Sequence, residues 1–341
     1  MDFWLTCICD MDWKEIVGHK NNIAYLQRML KVDKVPHALL FNGTEGIGKY
    51  SVAKIFAQNL LCENGVCDSC PSCRAFAAGS HPDFFEVQPE KKGNGAGSIK
   101  IEQIQFLQEE ISRVPYLAKR RVVIINEAEK MNSAASNRLL KVLEEPTGQV
   151  VFILVTSRLA AMLPTIVSRC TPLRFAALTA EELQGYLQQK GISEDLAGDL
   201  AVLSEGSIGR VRELQEHGGM ELREDAVLFL CRLKNFSLQD MWQQSKEKSE
   251  WPKEKCAEWL GYIKMALRDL LILYSGETRS TYFYHGSYLR QLSLLLQDYS
   301  VPQLLQAVRL LQSRQQRLQA NVNLRLFWES FFIQLQDIRQ I

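Results

Sequence analysis

Gly43-Thr44-Glu45-Gly46-Ile47-Gly48-Lys49 lies between the apolar run His37-Ala38-Leu39-Leu40-Phe41 and the helix-like stretch Tyr50–Ala57, and it has the make-up of a phosphate-binding loop. Gly43, Gly46 and Gly48 let the backbone curl until successive N–H groups point at one anion. The helix that follows offers its positive N-terminus, and the lysine reaches the β- and γ-phosphates. The next position breaks the pattern. A Ser or Thr hydroxyl there ligates Mg²⁺, whereas Tyr50 carries its oxygen beyond an aromatic ring. Ser51 is no substitute, being turned about 100° around the helix. The structural alternative is a glycine-rich turn between strand and helix that never held a ligand.

A second set of chemical residues ends the apolar run Arg121-Val122-Val123-Ile124-Ile125, the kind of run that is buried on both faces of a parallel sheet. In a working ATPase an Asp here holds Mg²⁺ and the following Glu activates water. This chain has Asn126 and Glu127, so the charge at the first position is gone and Glu127 is left as a vestigial catalytic group. A glutamate beside a helix start is otherwise a favourable dipole partner. Thr156-Ser157 follows the run Val150–Val155, where a polar residue can sense the γ-phosphate or simply cap a turn. Cys62, Cys67, Cys70 and Cys73 form a third set, C-x4-C-x2-C-x2-C, and turn formers between them let four sulfurs converge. A tetrahedral structural Zn²⁺ is the favoured occupant over an iron–sulfur cluster, since nothing nearby suggests electron transfer, and no coordination position is left open for chemistry.

The elements that position these groups alternate between strand and helix up to Phe175. A helix with Ile23, Leu26, Met29 and Leu30 on one face precedes the first strand. Asp83–Val87 reads as a short strand, residues 91–98 as a glycine-rich loop, Ile99 to Ile111 as a helix, Ser133 to Glu145 as another, and Leu173–Phe175 as a fifth strand. Beyond Phe175 the pattern is helical throughout. Thr179-Ala180-Glu181-Glu182 opens a capped helix, and Gly206–Arg210 joins two short ones in a small domain closing near Gly218. Strong apolar faces continue to the end, with Trp242, Trp251, Trp259 and Trp328 as packing residues and Arg309, Arg314 and Arg317 as a solvated face. The fold class is therefore α/β plus all-α, with an expected division into residues 11–175, 176–218 and 219–341.

Composition sets bounds on this reading. With 341 residues, 46% hydrophobic and 23% charged, the chain can bury a large core over two or three domains, and a net charge of +1 argues against gripping DNA alone over a broad surface. No apolar run is long enough to span a bilayer. Met1–Asp10 lacks a basic n-region and a cleavage site, so no signal peptide is expected, and Met11 is an alternative start. Nine cysteines, four of them in one short stretch, suit a metal site in a reducing compartment. Cys170, Cys231 and Cys256 are expected to be buried thiols.

The order of these motifs resembles the clamp-loader subunits of the AAA+ family, and within them the delta-prime branch of bacterial DNA polymerase III. The resemblance spans nearly the whole chain. It rests on Trp13–His19, His37–Phe41, the cysteine insertion, His81-Pro82-Asp83, Asn137–Pro146, Ser168-Arg169-Cys170, Gly206-Ser207 with Arg210, and Asn321-Val322-Asn323. It implies a five-stranded parallel P-loop domain, a small helical lid and a helical collar that builds a hetero-pentamer with gamma/tau and delta subunits. The assembly would load a sliding clamp onto primer-template DNA in the bacterial cytoplasm, away from any membrane. It also implies that Arg169 is an arginine finger acting in trans, that Tyr50, Thr156 and Arg210 join Gly43, Gly46, Gly48 and Lys49 in nucleotide binding, and that ATP or ADP can bind without hydrolysis. The gamma/tau-type subunits, which keep Ser or Thr after the lysine and Asp before the glutamate, are the alternative: a working ATPase in its own right.

Overall fold

The computed structural model describes residues 12–62, 67, 69–90, 97–146, 148–216, 218–277, 283–318, 320 and 322–340. The alternative starts at Met1 and Met11, most of the glycine-rich loop at 91–98, and Asn321 of the late motif lie outside the described residues. The described chain forms two compact units. One runs to Glu182 and includes Gly206–Gly209; the other comprises Leu183–Glu205 and the residues from Arg210 onward.

The first unit alternates α1 (Lys20–Val32), β1 (Ala38–Asn42), α2 (Lys49–Leu61), α3 (Pro71–Ala77), β2 (Phe84–Val87), α4 (Ile101–Ile111), β3 (Arg121–Ile125), α5 (Ser133–Glu144), β4 (Val150–Thr156), α6 (Pro164–Val167) and β5 (Thr171–Arg174). The five strands pair in the order β2-β3-β4-β1-β5, and every pairing is parallel. Side chains alternate between the two faces of a strand, so Ala38 and Leu40 of β1 join Val123, Phe152, Leu139 and Ile166 on one side of the sheet. Leu39 and Phe41 join Val122, Ile153, Val52 and Phe56 on the other. Both faces are covered, which is why these strands read as unbroken apolar runs. The turns after β1, β3 and β4 leave from the carboxyl edge of the sheet, where ligands bind in open α/β folds.

The His81-Pro82-Asp83 motif is a joint. Asp83, whose side chain is fully buried, accepts backbone N–H bonds from Tyr116 (2.7 Å), Leu117 (2.6 Å) and Ala118 (2.9 Å) and faces Arg121 at 3.7 Å. Arg121 in turn donates to the carbonyls of Glu110 and Val114, at the end of α4 and in the turn beyond it. Burial pushes the Asp83 carboxyl up, but the three amides, led by that of Tyr116, outweigh it and hold it below its ordinary value. The Asp83 amide donates to His81 Nδ1 (3.0 Å), which leaves the ring proton on Nε2 to reach Ser72 Oγ at 2.8 Å; Ser72 then donates to the Leu61 carbonyl at 2.9 Å. One short motif thus ties α2, α3 and the α4–β3 turn to the edge strand.

The second unit contains α8 (Glu194–Leu203), the later turns of α7 (Ala180–Gln189) and α9 (Ile208–Glu216), and α10 (Gly219–Arg232), α11 (Leu238–Ser249), α12 (Lys253–Tyr274), α13 (Leu289–Leu294), α14 (Val301–Leu318) and α15 (Leu324–Gln340). Its centre is aromatic: Trp259 and Trp328 are fully buried with ring centroids 5.4 Å apart, and Phe332 stacks on Trp328. Three expectations need correction here. Trp242 is 57% exposed, because α11 buries the face of Met241, Ser245 and Lys248, and the next residue round points away. Arg314 is buried rather than solvated. It falls on the inward stripe of Leu304, Ala307, Leu311 and Leu318, donates to Gln334 at 2.9 Å and lies over the Phe327 ring. Cys170 and Cys256 are buried as expected, but Cys231 is only partly so.

Because the Asp83 carboxyl titrates lower in the folded chain than in the unfolded one, its contribution is present above the unfolded pKa of about 3.9 and is lost as pH falls through the folded value. Asp83→Asn should lower unfolding stability at pH 7 by about 2–4 kcal/mol, since three amides and Arg121 lose a charged, buried partner. Urea melts check this, and the gap between variant and parent should narrow below about pH 4. A gap that stays constant down to pH 3 would rule out the carboxylate as its source.

Candidate nucleotide cleft and metal site

The turn after β1 has the backbone of a phosphate loop. Gly46 and Gly48 have φ of 74° and 97°, a region closed to most side chains. Gly43 is excluded from substitution by space, since a Cβ there would stand 2.3 Å from the Phe175 carbonyl oxygen. Lys49 is turned back into its own loop, donating to the carbonyls of Gly43 (2.8 Å) and Thr44 (2.6 Å). Burial lowers its pKa, with the charges of Glu129 and Glu45 opposing that shift.

The next three carbonyls of the loop are all taken by distant donors. Ser207 Oγ donates to Glu45 O (3.0 Å), the Gly209 amide to Gly46 O (2.9 Å), and His19 Nε2 bonds Ile47 O (2.8 Å). Gly209 has to be glycine for this approach, because a Cβ would meet Gly46 Cα at 2.9 Å.

A cleft of about 780 Å³ opens beside the loop, lined by Gly43–Glu45, Glu127, Glu129, Ser157, Arg158 and Arg174 among others. Its volume suits a small-molecule ligand. Of the residues singled out from sequence, the fold brings Gly43, Glu127 and Ser157 to this one cleft, while Lys49 is folded onto its own loop. Glu127 adopts a left-handed backbone and is ion-paired with Lys130 on the same short turn. Thr156 Oγ1 accepts from the Arg158 amide at 3.2 Å. Tyr50 points elsewhere: its phenol donates to Glu86 on β2, which also pairs with Lys54 at 3.1 Å. The donor set therefore fits phosphate oxygens but not the usual Mg²⁺ contacts, with the phenol committed to Glu86 and an amide at Asn126.

Arg169 does not line this cleft. Its guanidinium pairs with Glu144 Oε1 at 2.6 Å and donates to the Thr165 carbonyl at 3.0 Å, with the side chain 37% exposed. Arg210 belongs to the other unit, where it faces Glu205 at 3.6 Å. Sequence reasoning missed Glu129, whose carboxylate accepts from Ser157 Oγ (2.5 Å) and the Ser157 amide (3.1 Å). Burial pushes that carboxyl up, but these bonds and the Thr156 hydroxyl hold it below its ordinary value. The available signal was its position two residues past Glu127 in a tight turn, which returns a side chain toward the strand ends.

The four cysteines converge as their spacing predicts. Sγ–Sγ separations are 3.7 Å for Cys62–Cys67, 3.7 Å for Cys62–Cys70 and 3.9 Å for Cys67–Cys73, and all four sulfurs lie within 4.8 Å of one another. A tetrahedral metal with bonds of about 2.3 Å to sulfur requires edges of about 3.8 Å, so the cluster could hold such an ion. Cys70 caps α3, accepting from the Cys73 amide at 3.3 Å, with Pro71 at the first helical position. Hydrogen bonds led by the Ser69 amide lower the Cys67 thiol to about 6, which favours the thiolate that a metal needs.

Comparison with known proteins agrees with this architecture. The family described as "DNA polymerase III, delta subunit" matches residues 18–179. The DNA polymerase III subunit delta' of Bacillus subtilis (strain 168) is 30% identical over 96% of this chain and 99% of its own length. The delta' subunit of Pseudomonas aeruginosa is 37% identical over 56% of this chain and 59% of its own. The Bacillus subtilis tau subunit is 30% identical over 64% of this chain but only 38% of its own length. Among the described residues no helix is long and apolar enough to cross a membrane. With end-to-end similarity to one delta' subunit, a match over more than half of another, and a tau subunit matched over little more than a third of its length, the chain belongs to the DNA polymerase III delta' family.

Proposed function

We propose that this chain is the delta-prime member of a clamp loader, a hetero-pentamer with gamma/tau and delta subunits that places a sliding clamp on primer-template DNA in the bacterial cytoplasm. In this reading residues 11–175 form the AAA+ domain, 176–218 a lid and 219–341 the collar through which the ring assembles. The chain does not turn over ATP itself, and Glu127 is a relic. Its catalytic contribution is Arg169, offered to the nucleotide of a neighbouring subunit, where a planar guanidinium stabilises charge developing on the γ-phosphate. The observation that carries this reading is the Tyr50 phenol held by Glu86, in the place where a hydrolysing relative needs a small hydroxyl for Mg²⁺. ATP or ADP could be held by Gly43, Gly46, Gly48, Lys49, Thr156 and Arg210 without being cleaved, and Zn²⁺ by Cys62, Cys67, Cys70 and Cys73.

The purified chain should show negligible ATP hydrolysis; sustained turnover that disappears in Lys49→Ala would instead favour an independent gamma/tau-like ATPase. Arg169→Ala should leave folding and pentamer assembly intact, the latter read by native mass spectrometry, while lowering DNA-stimulated hydrolysis by the reconstituted complex. Fingers of this kind contribute about 10³–10⁵ in rate, and the loss in the ring should be smaller because other sites keep their own. Unchanged hydrolysis and clamp loading would return Arg169 to the status of a surface arginine paired with Glu144.

Metal analysis of chain purified without chelator should find one zinc per molecule. Structural zinc is worth on the order of 10 kcal/mol to a small module, so Cys70→Ser should lose the metal and loosen the 62–77 segment to proteolysis while the sheet survives. Metal-free parent protein would refute the site.

A further inference from the structure

Among the carboxylates lining the cleft, Glu129 is the one bonded to the end of β4, and the reading above leaves it without a role. Glu129 Oε1 takes both the amide and the hydroxyl of Ser157, and the Thr156 hydroxyl bonds the same carboxylate. Its Oε2 is buried and has no hydrogen-bond partner among the described residues. The charges of Glu129 and Glu45 oppose the lowering of the Lys49 pKa by burial. The polar residues at the end of β4 are among the groups a terminal phosphate would engage. Here they already bond an anion belonging to the chain.

The geometry points to Glu129 as a built-in stand-in for the terminal phosphate, one that turns nucleoside triphosphates away from the cleft more strongly than diphosphates. This rests on the reading of the loop as a relic nucleotide site. A γ-phosphate entering the cleft would have to take the Ser157 donors from Glu129 and lie against a carboxylate whose Oε2 is buried, where like charges repel more than in open water. A diphosphate stops one group short and meets less of that repulsion. Lys49 is bonded to Gly43 O and Thr44 O of its own loop, which a phosphate would have to outbid. A purely architectural Glu129, anchoring the turn after β3 to the end of β4, predicts something different: its loss would cost stability and gain no affinity for nucleotide.

The test is equilibrium binding of N-methylanthraniloyl-ATP and N-methylanthraniloyl-ADP to the full chain by fluorescence anisotropy, with thermal melts to confirm folding. The parent should bind the triphosphate no better than the diphosphate. Glu129→Gln keeps the shape and removes the charge. It should tighten triphosphate binding by at least about tenfold and diphosphate binding by less than about threefold. Glu129→Ala serves the same purpose if the glutamine variant does not fold. The inference fails if the folded variants bind triphosphate no more tightly than the parent, if both nucleotides gain equally, or if the parent already prefers triphosphate. None of these readouts depends on ring assembly or clamp loading. A failure here leaves the clamp-loader reading standing, and a failed reconstitution leaves the binding result standing.

Discussion

The tight turn at residues 43–47 points several carbonyls away from any helix or strand, and each must find a donor or carry the cost of burial unmet. The chain meets this demand from four places. Lys49 covers Gly43 and Thr44, Ser207 covers Glu45, Gly209 covers Gly46, and His19 covers Ile47. The start of α1, the start of α2 and the first turn of α9 are thereby fastened to one short loop. The glycines are therefore required by the packing of the loop itself. Even with no nucleotide bound, Gly43 and Gly46 keep the backbone close enough to Phe175 and Gly209 for the bonds to form.

What was legible in the sequence was whatever depends on period or on fixed spacing. Strands buried on both faces announce themselves as unbroken apolar runs, so β1, β3 and β4 were plain, and the cysteine spacing alone placed four sulfurs together. The order β2-β3-β4-β1-β5 was not readable, because adjacency in a parallel sheet is set by crossovers rather than by local pattern. Nor were contacts fixed by a single backbone twist. Glu127 and Glu129 look equivalent as letters. The left-handed φ of 51° at Glu127 sends that side chain to Lys130 and leaves Glu129 to face Ser157. Arg314 and Trp242 show the reverse error, where residue type was trusted over helical position: the stripe at 304, 307, 311 and 318 already marked 314 as inward.

The two chemical sites differ in how they are held. The cysteine knuckle is fixed twice over, by the converging sulfurs and by the Leu61–Ser72–His81–Asp83 chain of hydrogen bonds, whose last member also gathers the turn before β3. Burial keeps His81 below its ordinary pKa, as its acceptor role toward the Asp83 amide requires. The phosphate loop is held instead by donors to its carbonyls, of which only the Lys49 ammonium is a group that a phosphate would draw away.

Arg169 completes that contrast. Its partner Glu144 is 47% exposed and Arg169 itself 37%, so the ion pair is a surface one, worth no more than about 1 kcal/mol and weakened further by salt. Lys49, by comparison, is 6% exposed and bonded to two carbonyls of its own loop. Releasing Lys49 toward a phosphate means breaking buried bonds, whereas releasing Arg169 toward one costs little, and a guanidinium–phosphate pair formed at a water-poor interface would outweigh what it loses. On the proposed reading, then, the side of this subunit that would receive a nucleotide is satisfied internally, and the side that would act on a neighbour's nucleotide is held only loosely. That asymmetry is what a subunit needs in order to assist hydrolysis without performing it.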